Sequence, residues 1–99
     1  MKIKLLSAAE EDLNDICRYI YEGNPGYTEK FLDMFERALK RLQKFPRSGK
    51  ISETFILNRS GYRYITCGSF YVYYKIEEET VYVYRIVHNA RDLQMFFNN

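Results

Sequence analysis

Tryptophan is absent from this sequence, histidine occurs once, and there are two cysteines and two prolines. Each scarcity removes a class of protein. Cys17 and Cys67 are too few and too far apart for a disulfide-stapled secreted scaffold, and with His88 alone they match no metal-ligand spacing. They read as reduced thiols in or near a core. No stretch approaches the roughly 20 apolar residues of a membrane span, and the apolar run from Met1 to Leu6 is too short for a signal peptide. A cytoplasmic protein that does not engage a membrane is expected. Nucleotide and catalytic fingerprints are also missing: there is no G-x-G-x-x-G, P-loop, G-x-S-x-G elbow or H-E-x-x-H. Neither a cofactor nor a metal is expected.

What the chain does contain is aromatic and unevenly charged. Ten tyrosines and seven phenylalanines stand among 99 residues, a length that supports one domain over 1–99 and one modest core. The net charge is only +2, but acids lead and bases follow. Glu10, Glu11, Asp12, Asp15, Glu22, Glu29, Asp33 and Glu36 come first. Arg37, Lys40, Arg41, Lys44, Arg47 and Lys50 follow with no acid between them. Such a local run makes an anionic partner worth testing.

The periodicities predict an α+β fold. Ile3 to Leu6 reads as a strand. Ser7-Ala8-Ala9-Glu10 reads as a capping box opening a helix, whose apolar face is Leu13, Ile16, Cys17, Ile20 and Tyr21. Gly23-Asn24-Pro25-Gly26 turns the chain, with Asn24 placed to cap a second helix. Tyr27, Phe31, Phe35, Ala38, Leu42 and Phe45 form one stripe of that helix. Arg37, Lys40, Arg41 and Lys44 form another, which should face solvent as the partner-binding surface. Pro46 ends the helix at Phe45. Arg47 to Ser60 is a polar connection around Phe55-Ile56-Leu57, which has the makings of a short strand. Tyr62–Cys67, Phe70–Ile76 and Val81–His88 are β-rich segments joined by short turns, an antiparallel meander. Asn89 is placed to cap a last short helix through Phe97. The antiparallel helical hairpin must pack on one face of a mostly antiparallel sheet, leaving the other face for partners or substrate.

Strict alternation sorts the sheet side chains. Phe70, Val72, Tyr74 and Ile76 oppose Tyr71, Tyr73 and Lys75. Val81, Val83, Arg85 and Val87 oppose Tyr82, Tyr84, Ile86 and His88. Arg63 shares a side with Ile65. A sheet face bearing Arg, Tyr and His has the chemistry to hold phosphates and stack bases. The plainer reading is that the tyrosines pack, that His88 is a structural hydrogen-bonder, and that Arg63, Arg85 and Arg91 pair with acids.

Several stretches resemble the toxins of the RelE/ParE superfamily, the toxin halves of type II toxin–antitoxin systems. They are Gly61-Tyr62-Arg63-Tyr64-Ile65, Phe70-Tyr71-Val72-Tyr73-Tyr74-Lys75-Ile76 and Val83-Tyr84-Arg85-Ile86-Val87-His88-Asn89-Ala90-Arg91-Asp92. Upstream, Ser7 to Leu13 with Ile16, Tyr19 and Ile20 is similar to the family's first helix, and Phe45-Pro46 with Gly49 to its helix exit. The resemblance covers nearly the whole chain and implies the fold just described. It also implies a cognate antitoxin as partner, with operator DNA contacted only through that antitoxin.

Within the superfamily, ParE-like members poison DNA gyrase, whereas RelE-like members cut mRNA on the ribosome without a metal. RelE-like enzymes carry an arginine where this chain has Tyr71, and the run from Arg85 to Asp92 looks more like ParE. A ParE-like gyrase inhibitor is therefore the first expectation. A ribosome-dependent endoribonuclease and an inactive antitoxin-binding homologue are the alternatives. Cleaving RNA requires a proton-transfer group and a fixed cation at the phosphate. Arg63, Tyr71, His88 and Arg91 are the set that would serve, with Arg63 and Arg91 binding phosphate and His88 or Tyr71 moving protons. For the antitoxin, Arg37, Lys40, Arg41, Lys44 and Arg85 are the expected contacts, and reversing Arg37, Lys40 and Arg41 together should weaken the complex.

Overall fold

The computed structural model describes residues 1–51 and 61–88. The elements in order are β1 (Lys2–Leu5), α1 (Ser7–Gly23), α2 (Tyr27–Lys44), β2 (Lys50–Ile51), β3 (Arg63–Cys67), β4 (Phe70–Glu77) and β5 (Thr80–Val87). They build a five-stranded sheet of order β1-β5-β4-β3-β2, antiparallel except where β1 runs parallel to β5. The helical hairpin thus carries the chain from one edge of the sheet to the other. The expected last helix and the apolar patch at 55–57 lie outside the described residues.

The helix-side core forms as the periodicity predicts. Phe31, Phe35 and Leu42 of α2 bury against Ile65, Cys67, Val72, Tyr74, Val81, Val83 and Ile86, with Ala9 of α1. Leu13, Ile16, Cys17 and Ile20 of α1 are only partly buried around that cluster. Both apolar stripes overrun the sheet at their ends, because Tyr21 is 63%, Tyr27 39% and Phe45 57% exposed.

Two caps differ from the sequence reading. Ser7 lies inside α1, the cap position is Leu6, and no side-chain cap bond forms. The reason is the absence of a loop between β1 and α1. Leu6 still donates its N–H to the Val83 carbonyl at 3.0 Å, while its own carbonyl already accepts from Glu10 at 3.0 Å. The last ladder residue is therefore the helix's first acceptor, and Ser7 has no room to cap. Asn24, expected to start α2, instead ends α1 by donating to the Ile20 carbonyl at 2.7 Å. Gly26 takes the cap position of α2 without a side-chain bond.

The β3–β4 turn uses Gly68 at φ +59°, a conformation glycine adopts freely. The β4–β5 turn does not follow that pattern. Glu78 and Glu79 sit at φ +48° and +62°, the pair of positive angles that two-residue hairpins require and that Asn-Gly supplies with least strain. Replacing Glu78→Asn and Glu79→Gly together is expected to stabilise the domain by about 1 kcal/mol. Urea unfolding would show a higher midpoint at unchanged slope; an unchanged or lower midpoint would mean the turn stores no strain.

Candidate functional site

Three arrangements of the sequence-predicted site residues emerge, and they lie in different places. The first is at the β5 edge. The register passes from Tyr74↔Val83 to Tyr73↔Arg85, so Tyr84 is an extra residue on β5, a β-bulge. The bulge overturns strict alternation beyond it. Ile86 joins Val81 and Val83 in the helix-side core, and Val87 joins Tyr73 on the other side. It also sits where β1 has run out. Beyond Leu6 no backbone of β1 remains to pair with β5, and the Asp12 carboxylate of α1 takes its place. Asp12 Oδ2 accepts from the Ile86 N–H at 2.9 Å and from Arg85 Nε at 2.7 Å, and Oδ1 accepts from a second Arg85 nitrogen at 3.0 Å. The bidentate bond to Asp12 raises the Arg85 pKa above its ordinary value. Arg85, expected as a partner contact, joins α1 to β5.

The second arrangement closes the end of α2. Tyr74 is fully buried, yet its hydroxyl reaches the turn before β2. That hydroxyl accepts from the Gly49 N–H at 2.9 Å and donates to the Pro46 carbonyl at 2.7 Å. Burial raises the Tyr74 pKa, opposed by the Gly49 bond and by the positive charges of Arg63 and Arg41. Arg63 stands opposite Tyr74 in the register and donates to the carbonyls of Gly49 at 3.0 Å and Arg47 at 3.5 Å. Its guanidinium braces the turn from the helix side of the sheet.

The third is an aromatic cluster on the far side. Tyr73 and Val87 are buried there with Tyr62, Tyr64 and Tyr71 around them. Tyr64 and Tyr71 meet edge to face at 5.4 Å, as do Tyr62 and Tyr84 at 4.8 Å. Burial first, then neighbouring phenols, pushes Tyr62 and Tyr73 up to about 12. Both stay neutral near physiological pH, where neither is a base. Burial likewise raises the thiols of Cys17 and Cys67, which keeps them protonated and weakly nucleophilic.

Of the residues grouped for RNA cleavage, the three described ones, Arg63, Tyr71 and His88, stand apart from one another. Arg63 is on the helix side and Tyr71 on the tyrosine side. His88 packs its ring on Phe70 at 5.1 Å, and Phe70 in turn meets Phe31. Phe70 pairs with Cys67, four residues along β3 from Arg63, a separation of roughly 13 Å. Arg91 lies outside the described residues. Among the described residues, no group of three His, Cys, Asp or Glu side chains is placed to hold a metal. No described helix is long and apolar enough to cross a membrane.

Arg37, Lys40, Arg41 and Lys44 are all exposed on α2. Lys40 pairs with Glu36 at 3.2 Å, and Lys44 lies 5.6 Å from the Phe45 ring centroid. Such exposed pairs contribute little to stability, so the stripe keeps its positive potential available to a partner. Arg41 stands at the mouth of a cleft of about 310 Å³ that it shares with Ser48, Lys50, Tyr64, Thr66 and Tyr71. This cleft was not legible in the sequence, because it forms where β2 begins, beside Ser48, Gly49 and Lys50.

The sequence profile described as the ParE toxin of type II toxin–antitoxin system, parDE, matches residues 3–93. Among solved structures, one described as the chromosomal ParDE TA system from P. aeruginosa superposes with a TM-score of 0.73 at 22% identity, over 89% of this chain and 95% of that one. That likeness establishes a common fold. No curated protein matches the sequence.

Proposed function

The chain belongs to the ParE toxin family of type II toxin–antitoxin systems, and on that premise we propose that it arrests bacterial growth by inhibiting DNA gyrase and is neutralised by a cognate antitoxin. The supporting observation is the dispersal, among the described residues, of the side chains that RNA cleavage would need. A phosphorane must be met by a cation and a proton-transfer group within a few ångströms of each other. Here Arg63 is engaged by backbone carbonyls on one face, and Tyr71 stands on the other. A protein built this way acts by occupying a target.

The exposed basic stripe of Arg37, Lys40, Arg41 and Lys44 is the surface on which an acidic antitoxin segment would be steered and held. Arg85 supports the same role indirectly, by fixing α1 against the sheet through Asp12. The protein is expected to abolish supercoiling by purified gyrase at micromolar concentration, and its antitoxin to restore it. Supercoiling that proceeds unchanged would sink the gyrase reading. Primer extension on translated mRNA separates the rival: new cleavage ends that disappear in Arg63→Ala or His88→Ala would make the protein a ribosome-dependent endoribonuclease instead.

A further inference from the structure

The free end of the helical hairpin is aromatic, although the core has no use for rings there. Tyr19 is 77% exposed, and Tyr21 and Tyr27 are exposed beside it. Tyr19 near the end of α1 and Tyr27 at the start of α2 flank an open cleft of about 480 Å³, lined further by Ile20, Glu22, Gly23 and Asn24. The tyrosines of the sheet pack edge to face on one another. Tyr19 has no ring, hydrogen-bond or ion-pair partner among the described residues. Tyrosine joins a large apolar ring to a polar tip, which is why it is enriched in the buried centre of protein–protein interfaces.

The face of α1 that carries Tyr19 also carries carboxylates. Glu11, Asp15, Tyr19 and Glu22 follow one another at helical spacings of three and four, and all are exposed. The neighbouring cation, Arg18, pairs with Asp15 at 3.4 Å. Glu22 has no ion-pair partner among the described residues, and the cleft it lines contains no cation. This end of the molecule is therefore opposite in sign to the far end of α2, where Arg37, Lys40, Arg41 and Lys44 stand. Seventeen residues of helix separate Tyr27 from Lys44, roughly 25 Å. An acidic antitoxin segment is drawn to the basic end and repelled from the tip. The tip suits a second partner, and that partner must offer cations.

We infer that the tip of the hairpin is the surface that docks on gyrase. Tyr19 and Tyr27 pack against the enzyme, one of its side chains fills the cleft between them, and Glu22 faces lysines or arginines beside its DNA path. A protein that holds DNA neutralises phosphates with such cations, so gyrase carries surface of the sign the tip requires. The inference rests on the reading that gyrase is the target. It assigns target and antitoxin to opposite ends of α2.

Supercoiling by purified gyrase, titrated with the wild-type chain and with Tyr19→Ala/Glu22→Lys, tests the inference. Both sites are exposed, and a lysine in the last turn of α1 suits the negative end of its dipole, so the variant is expected to fold, as circular dichroism would verify. Half-inhibition should require at least tenfold more of the double variant. Tyr19→Phe, which keeps the ring, should stay within about twofold of wild type. Glu22→Lys alone should weaken inhibition at least threefold, and it carries the test should the double variant not fold. The protein encoded by the reading frame adjoining this chain's gene should bind wild type and double variant alike. A folded double variant that inhibits as well as wild type overturns the docking surface and leaves the gyrase reading standing. So does an equal loss of binding to the adjoining frame's protein, which would make the tip an antitoxin contact. So does a wild-type dimer that the double variant dissolves without losing inhibition, which would give the tip to a second copy. Supercoiling untouched by the wild-type chain removes the gyrase reading, and the docking surface with it.

Discussion

Asp12→Ala is expected to lower stability by about 3 kcal/mol, a large share of the 5–15 kcal/mol that holds a small domain folded. The carboxylate accepts three hydrogen bonds, from Arg85 twice and from the Ile86 N–H. Its side chain is 14% exposed and that of Arg85 33%. Removing it takes one acceptor from a backbone donor and two hydrogen bonds from a partly buried guanidinium, and each loss carries a desolvation cost. Solvent reaching Arg85 keeps the loss below the upper end for fully buried pairs. For a domain of this length, the melting temperature should fall by roughly 10–20 °C. Asp12→Asn should cost about half as much, because its amide oxygen still accepts from Ile86 without the charge. Hydrogen exchange at the Ile86 amide should accelerate in Asp12→Ala beyond what the global loss explains. A change of less than about 0.5 kcal/mol in urea unfolding would show that α1 is held to β5 by apolar packing alone.

This clamp also shows where the sequence could and could not be read. Element types followed from period. Phe31, Phe35 and Leu42 recur at helical spacing, and the three tyrosine- and valine-rich segments alternate, so a helical hairpin over a meander was recoverable. Four of the five strands came out within a residue of their observed ends, whereas β2 at Lys50–Ile51 fell in what read as a polar connection. What alternation could not carry was the bulge at Tyr84. Nothing local marks it, since Val83-Tyr84-Arg85-Ile86 is a uniform strand sequence. It exists because β1 ends where α1 begins and Asp12 captures the next amide of β5. That event joins positions 74 residues apart in the chain. One extra residue then reversed the faces of Ile86 and Val87.

The described members of the RNA-cleavage set stand apart for a related reason. Composition counts arginines, tyrosines and a histidine, but only register says that Arg63 and Tyr71 stand on opposite faces. Family membership was legible despite this, because it depends on the order and spacing of segments and not on which face each side chain takes. The cleft at the β3 edge had no sequence signal at all. It is defined by where β2 begins, just after Gly49, which a tyrosine 25 positions further along ties down.

Gly49→Ala is the second large effect, and it tests that dependence. Gly49 is buried, and a Cβ there would lie 2.7 Å from the Tyr74 ring and 2.8 Å from the Tyr64 carbonyl oxygen, with the Tyr74 hydroxyl closer still. The carbonyl belongs to β3 and cannot move without breaking the ladder. The tyrosine is fully buried and cannot swing away. Relief must come from the turn, which gives up the bonds from Gly49 and to Pro46. Over-packing and two lost hydrogen bonds together are expected to cost about 3–4 kcal/mol. Tyr74→Phe removes the hydroxyl alone, leaves the Gly49 donor and the Pro46 acceptor unsatisfied, and is expected to cost about 2 kcal/mol. The two substitutions should not add. Once the hydroxyl is gone, the new methyl loses its closest obstacle and has no tyrosine hydrogen bonds left to break. The double variant should therefore be more stable than the sum of its parts predicts by about 1 kcal/mol or more. Strict additivity in that cycle would mean that the hydroxyl and the glycine act separately. The place where β2 begins would then owe nothing to Tyr74. If the coupling is present, releasing the turn should also speed hydrogen exchange at the Gly49 amide beyond what the global loss of stability explains.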